Sequence, residues 1–161
     1  MVDFDNKGLQ GLTFIDLFAG IGGFRLALES LGARCVFSSE INTKAAKTYE
    51  QNFGEQPSGD ITLIGEDSIP DHDILCAGFP CQAFSASGKK LGFKDTRGTL
   101  FFDVARIIRA KRPKVVFMEN VQYFSAHDGG RTLAIVKATM DELEYDFYQN
   151  TRLPSFDKLV N

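Results

Sequence analysis

Cys81 stands between a proline and a glutamine in ILCAGFPCQAFSASGKK, Ile74 to Lys90. The residues before it read as a buried strand, and those after it as a loose loop of Gly, Ser and Lys. A cysteine used for packing belongs inside the apolar run. One held where a strand opens into a loop has the exposure a nucleophile needs. Glu119, in FMENV, ends another apolar run. A thiolate is a strong nucleophile once its pKa is lowered, and a carboxyl can protonate or hydrogen-bond the ring that is attacked. Cys35 and Cys76 lie inside apolar runs and read as core residues. Three cysteines without a C-x-x-C pair argue against a disulfide framework or a zinc site, and two histidines are too few for a His-rich metal site. His72, in PDHD, reads as a solvated loop histidine.

A second group of residues suits a nucleotide. Phe18, Ala19, Gly20, Ile21, Gly22 and Gly23 make a Gly-rich turn within DLFAGIGGF. Glycines there permit positive φ and close approach of a ligand to the backbone. Glu40 follows 20 residues after Gly20, where a carboxylate accepts hydrogen bonds from ribose hydroxyls. Asp60 is placed to accept from an adenine amino group, with Ile41 and Ile61 as apolar walls. Together these residues indicate an adenosine-containing ligand. The NAD pattern G-x-G-x-x-G would need a glycine at position 25, which is Arg25. A ligand with adenosine and no pyrophosphate, such as S-adenosylmethionine, fits better than NAD. The alternative is that the glycines serve only a tight turn.

These residues need a scaffold, and the apolar pattern supplies one. LTFIDLF (Leu12 to Phe18), RCVFSSE (Arg34 to Glu40), the brief GDIT (residues 59–62), HDILCAGF (residues 72–79) and KVVFMEN (residues 114–120) read as five strands. Between them, Phe24, Ala27, Leu28 and Leu31 recur at helical spacing, with Gly32 as a stop. Asn42 or Thr43 caps a helix to about Phe53. Leu100, Phe101, Val104, Ile107 and Ile108 form the apolar face of a helix stopped by Pro113, and Leu133, Val136, Met140 and Leu143 mark a last one. Alternating strands and helices predict an α/β fold with an open parallel sheet covered on both faces. Ligands bind such sheets beyond the carboxyl ends of the strands. That points to residues 18–23, Glu40, Asp60, Gly78 to Gln82 and Glu119 to Val121.

FIDLFAGIGGFRLALES, GFPCQAFSASGK and FMENV, in that order, resemble the N-terminal half of the DNA cytosine-5 methyltransferases, nearest to the bacterial restriction-modification branch that reads GCGC. The resemblance runs to about Phe147. It implies a Rossmann-like S-adenosylmethionine-dependent methyltransferase sheet that is C-terminally incomplete. It also implies methyl transfer to C5 of cytosine in double-stranded DNA, with the base flipped out of the helix. Cys81 would add to C6, and Glu119 would bind the N3/N4 edge. Phe18, Gly78, Pro80 and Leu100 would join the cofactor site, Pro80 also shaping the turn that projects Cys81. Gln82, Ser85, Ser87, Lys89, Arg97, Asn120 and Val121 would face the DNA.

The totals agree with this and bound it. At 161 residues and net charge −3, the chain reads as one ordinary globular domain, with local basic residues Lys89, Lys90, Lys94 and Arg97 rather than an overall basic character. No stretch is long and apolar enough to span a bilayer, and MVDFDNKGLQ lacks the pattern of a signal peptide. A cytoplasmic, nucleoid-associated bacterial or phage protein is expected. Residues 1–161 are expected to form a single partial catalytic and cofactor-binding domain. The family's further strands, its Gln-x-Arg-x-Arg segment and its target-recognition domain have no counterpart here. Truncation, a frameshifted end or a naturally split enzyme all fit, and an intact reaction would require a partner chain carrying the remainder. A non-catalytic cofactor- or partner-binding remnant and an RNA cytosine-5 methyltransferase are the other readings.

Overall fold

The computed structural model describes residues 8–80 and 100–149. The chain divides into two compact units, Met1–Asn120 and Val121–Asn161.

In the first unit, four parallel strands make one sheet: β1 (Thr13–Leu17), β2 (Arg34–Ser39), β3 (Ile74–Ala77) and β4 (Val115–Met118), in the order β2-β1-β3-β4. Helices α1 (Gly23–Ser30), α2 (Thr43–Phe53) and α3 (Leu100–Lys111) make the crossovers. The central strands β1 and β3 are buried from Phe14 to Leu17 and from Ile74 to Ala77, and are apolar there except at Asp16. Leu75 and Cys76 of β3 pair with Ile15 and Asp16 of β1 on one side and with Val116 and Phe117 of β4 on the other.

The expected helices form, for the expected reasons. Asn42 caps α2, its side chain accepting from the amides of Lys44 and Ala45, and Gly54 ends the helix at φ +72°. Phe101, Val104, Ala105, Ile107 and Ile108 are the buried face of α3. In α1 the buried stripe is Arg25 and Leu28, with Leu31 exposed.

Two expectations are corrected. GDIT is not a strand. Asp60 instead caps a short 3-10 turn, Ile61–Leu63, by accepting from the Thr62 amide at 2.9 Å and the Thr62 hydroxyl at 2.8 Å. A side chain that satisfies the local backbone this way competes with sheet pairing. Only Ser58 reaches the sheet, through one isolated bridge to Ser39. His72 is not solvated. Its ring is buried, Nδ1 lies 2.9 Å from the Pro70 carbonyl, and burial holds its pKa below the usual histidine value.

In the second unit, 3-10 turns at Gln122–Ser125 and His127–Gly130 lead into α4 (Arg131–Glu142). The His127 ring nitrogen Nδ1 lies 2.8 Å from the buried Thr132 hydroxyl, and Ile135, Val136 and Met140 are the buried apolar face of the helix. Residues 145–149, which start like a further strand in sequence, form none. No helix among the described residues is long and apolar enough to cross a membrane.

Candidate cofactor and active site

The Gly-rich turn leaves β1 through Phe18, whose backbone lies in the left-handed region at φ +57°. For a bulky side chain that costs about 1–3 kcal/mol and persists only where the surroundings enforce it. Here they do. The Ala19 amide donates to the Ser39 carbonyl at 2.9 Å, and the Gly22 amide to the Ala19 carbonyl at 2.8 Å. Gly22 must be glycine on two counts: its φ is +94°, and an added Cβ would overlap the Phe53 ring. No side chain caps α1, so a side-chain cap takes up none of the amides of its first turn.

Glu40 ties this turn to β2. Its Oε2 accepts from the Gly20 amide at 2.8 Å and its Oε1 from the Asn42 amide at 2.7 Å. A carboxylate oxygen has two lone pairs, so each retains capacity for a ribose hydroxyl. Asp60 spends Oδ1 on Thr62, while Oδ2 has no hydrogen-bond partner among the described residues. Ile41 is 66% exposed and Ile61 only 2%, so of the two expected walls Ile41 alone offers open apolar surface. The Ile61 carbonyl is held instead by the Arg106 guanidinium at 2.7 Å, which fixes the Asp60 turn to α3.

The strand ends carrying the expected chemistry converge. A Cβ built on Gly78 would lie 3.6 Å from Glu119 Oε2 and 4.0 Å from the Phe18 carbonyl oxygen. The amide of Gly78 donates to the Leu17 carbonyl at 3.3 Å. Asn120 donates its side-chain amide to the Phe79 carbonyl at 2.7 Å, steadying the segment that leads through the exposed Pro80 to Cys81. Glu119 is exposed, and no described residue hydrogen-bonds its carboxylate. Leu100 begins α3 and is half-buried, and Val121 is exposed. Cys81, Gln82, Ser85, Ser87, Lys89 and Arg97 lie outside the described residues, as do Lys90 and Lys94. Among the described residues no cluster of His, Cys, Asp and Glu has the geometry of a metal site.

Three residues that the site depends on were not identified from the sequence. Asp16 is fully buried in β1. Arg25 is buried between α1 and α2, with Glu29 at 2.8 Å, Glu55 at 2.9 Å, the Tyr49 hydroxyl at 3.2 Å and the Phe53 ring under its guanidinium. It occupies the place where a third glycine would let helix and sheet approach closely, and it fills that place with a paired cation. Arg106 is the third. The one signal for Asp16 was a carboxylate inside an apolar strand.

This constellation has known counterparts. The family model for C-5 cytosine-specific DNA methylases matches residues 12–154. The chain belongs to that family. It is 66% identical over 148 residues to the type II methyltransferase M.HhaI of Haemophilus parahaemolyticus, which covers 92% of this chain and 45% of that protein. It is 61% identical over 139 residues to M.HpaII of Haemophilus parainfluenzae, covering 84% of this chain and 39% of the relative. A crystal structure of a Spodoptera frugiperda DNMT2 mutant superposes with a TM-score of 0.63 at 26% identity, over 83% of this chain and 41% of that one. The methylase resemblance read from the motifs, and with it the α/β fold, is therefore correct. The chain spans less than half the length of the curated relatives named here.

Proposed function

We propose that this chain is the cofactor-binding and nucleophile-bearing part of a DNA cytosine-5 methyltransferase. The observation that carries the reading is the convergence of Phe18, Gly78 and Glu119 at one mouth, with Asn120 steadying the approach to Cys81. The donor set fits S-adenosylmethionine: Glu40 for the ribose, Asp60 Oδ2 for the adenine amino group, Ile41 as an apolar wall, and the backbone from Phe18 to Gly23 for the amino-acid end. When bound, the cofactor supplies an electrophilic methyl group.

The chain's own residues prepare the cytosine. Its C5 is a poor nucleophile, so the Cys81 thiolate adds to C6 while Glu119 gives a proton to N3. The C6–S bond forms, the ring π electrons shift toward N3, and C5 becomes an enamine carbon. After C5 is methylated, its proton passes to solvent water, the C5–H electrons form the C5–C6 double bond and expel the Cys81 thiolate, and N3 returns its proton to Glu119. Because C6 is stacked inside a duplex, the base is flipped out first, at a cost of a few kcal/mol. Gln82, Ser85, Ser87, Lys89, Arg97 and Val121 face the DNA in this reading, where phosphate contacts position without specifying sequence. The setting is the cytoplasm of a bacterial or phage-bearing cell, at the nucleoid.

Turnover in this reading requires further polypeptide at β4, in the same protein or in a complementing chain. The relatives are more than twice the length matched, and the apolar Val115 and Phe117 of β4 are 42% and 48% exposed. The test mixes this chain with a polypeptide spanning the remaining length of such a relative, and follows labelled methyl transfer from S-adenosylmethionine to duplex DNA and to RNA. The expected result is transfer to DNA that is lost in Cys81→Ser, with S-adenosylhomocysteine affinity unchanged. Transfer by the serine variant would falsify the thiol mechanism. Preference for RNA would overturn the DNA assignment, and full activity without the added polypeptide would overturn the requirement for it.

A further inference from the structure

Asp16 is the residue in the first unit whose chemistry the cofactor and cytosine steps leave unused. It lies on β1, two residues before Phe18, and is 0% exposed. Among the described residues neither Oδ1 nor Oδ2 has a hydrogen-bond partner. Its neighbours across the sheet are Ser38 of β2 and Cys76 of β3, so it points to the face that α1 covers. The Arg25 backbone amide is close enough to favour the ionised form, without a hydrogen bond of good geometry.

A buried carboxyl with no donor is expensive to ionise. Burial pushes Asp16 up to about 7, against the opposing pull of Arg25 and with the Glu40 charge adding to the rise. The charged and titratable groups around it are Arg25 on α1, Cys35 on β2, Glu40 just beyond β2, and Cys76 on β3. Burial raises both thiols, Cys76 to about 12, so they stay neutral at physiological pH. Tyr49 of α2, which hydrogen-bonds Arg25, is likewise pushed up to about 12 by burial. Asp16 is thus a buried carboxyl on β1, two residues before the turn, held above the usual carboxylate range by burial and by the charge of Glu40, the residue that clasps that turn.

Such a group responds to the charge of whatever the turn holds. S-adenosylmethionine carries a sulfonium cation. S-adenosylhomocysteine, the product, is the corresponding neutral thioether, one positive charge poorer. We infer that Asp16 is a buried charge sensor under the cofactor turn, ionising when the sulfonium ligand binds and taking up a proton when methyl transfer removes that charge. It is a specificity-determining residue, favouring donor over spent product, and it does so without touching either. The inference rests on the reading of the turn as an S-adenosylmethionine site.

Linkage sets the sign. A cation near Asp16 lowers its pKa in the complex, so binding of the cation strengthens as pH rises through the Asp16 titration. A neutral ligand gains less. Each unit by which the sulfonium lowers this pKa, beyond the effect of the thioether, is a tenfold change in the affinity ratio. Both ligands share their adenosine and amino-acid groups, so the ratio largely cancels everything except the sulfonium.

The experiment is isothermal titration calorimetry of this chain with S-adenosylmethionine and S-adenosylhomocysteine at pH 6 and pH 8, in buffers of different ionisation enthalpy. The ratio of the product's Kd to the donor's is expected to rise about three- to tenfold between the two pH values. Near pH 7 the donor should release more protons on binding than the product does. Asp16→Asn, which keeps the shape and removes the titration, should flatten the ratio and equalise the proton counts. A flat ratio in the native chain, or the same slope in the asparagine variant, overturns the sensor while leaving the cofactor site standing. Absence of binding by both ligands overturns the cofactor reading and this inference with it. Should the asparagine variant fail to fold, the native ratio and proton counts still decide.

Discussion

β1 and β4 flank the same strand. Each pairs with β3 in parallel over four residues, and each leads into a predicted site. Their surroundings differ sharply. β1 is buried from Phe14 to Leu17, although it carries Asp16. β4 is wholly apolar, yet Val115 and Phe117 on one of its faces are exposed. Among the described residues its other backbone edge pairs with no strand. Val115 and Glu119 turn their amides to β3, so by alternation Val116 and Met118 turn theirs away from it. The comparison teaches that the apolar content of a strand does not decide its burial. β1 is covered because α1 packs on one face and two strands flank it. β4 has one neighbour among the described strands and a face on which Val115 and Phe117 are exposed. The Gly-rich turn therefore leaves a strand that is enclosed, while Glu119 follows a strand with one exposed face.

Mutations should separate the two strands. The largest expected effect is Ile15→Ala in β1. A fully buried aliphatic side chain cut back to alanine costs about 2–5 kcal/mol, whereas Val115→Ala in β4 should cost about 1 kcal/mol or less. Urea unfolding of the two variants measures the difference, and equal losses would break the comparison.

Asp16→Asn sharpens it, because the exception inside β1 should be destabilising when ionised. The folded-state value of about 7 lies above the ordinary 3.8, so between these values the unfolded chain has lost a proton that the folded chain keeps. Stability conferred by this group is therefore present at low pH and declines as pH rises from about 4 to about 7. At roughly 1.4 kcal/mol per unit the full swing is on the order of 4 kcal/mol. The asparagine variant should match the native chain near pH 4 and exceed it near pH 8 by about 2–4 kcal/mol. The buried His72, depressed by desolvation, acts in the opposite sense below its usual value, so the comparison is made as a difference between the two proteins at each pH. A difference that does not vary with pH would exclude Asp16 as the titrating group.

The smallest expected effect is on ligand affinity. Glu40→Ala removes the acceptor for the Gly20 and Asn42 amides together with the proposed ribose contact, and should weaken S-adenosylhomocysteine binding about tenfold or more, about 1.4 kcal/mol. Calorimetry on the folded variant measures it. Unchanged affinity would leave Glu40 as a brace for the turn and nothing more.

What the sequence determined by itself is what acts over a few residues. Helical periodicity located α1, α3 and α4, the cap at Asn42 or Thr43 announced α2, and the glycines announced a turn that permits positive φ. The 20-residue step from Gly20 to Glu40 marked Glu40 as a ribose acceptor, and the structure adds what the spacing did not show, a bond from the Gly20 amide to Glu40 at 2.8 Å. The order of the three motifs was enough to name the family. The tertiary structure alone decided which of these residues would be covered. It turned GDIT into a capped turn, because Asp60 satisfies the Thr62 amide before a neighbouring strand can. It buried Arg25, noted in the sequence only as standing where a third glycine would be, by giving it Glu29, Glu55 and Tyr49 at once. It enclosed His72 and Asp16 and left Phe117 half bare. Local propensity is written in neighbouring residues. Burial, and the pKa values and open faces that follow from it, depends on residues brought together from distant parts of the chain.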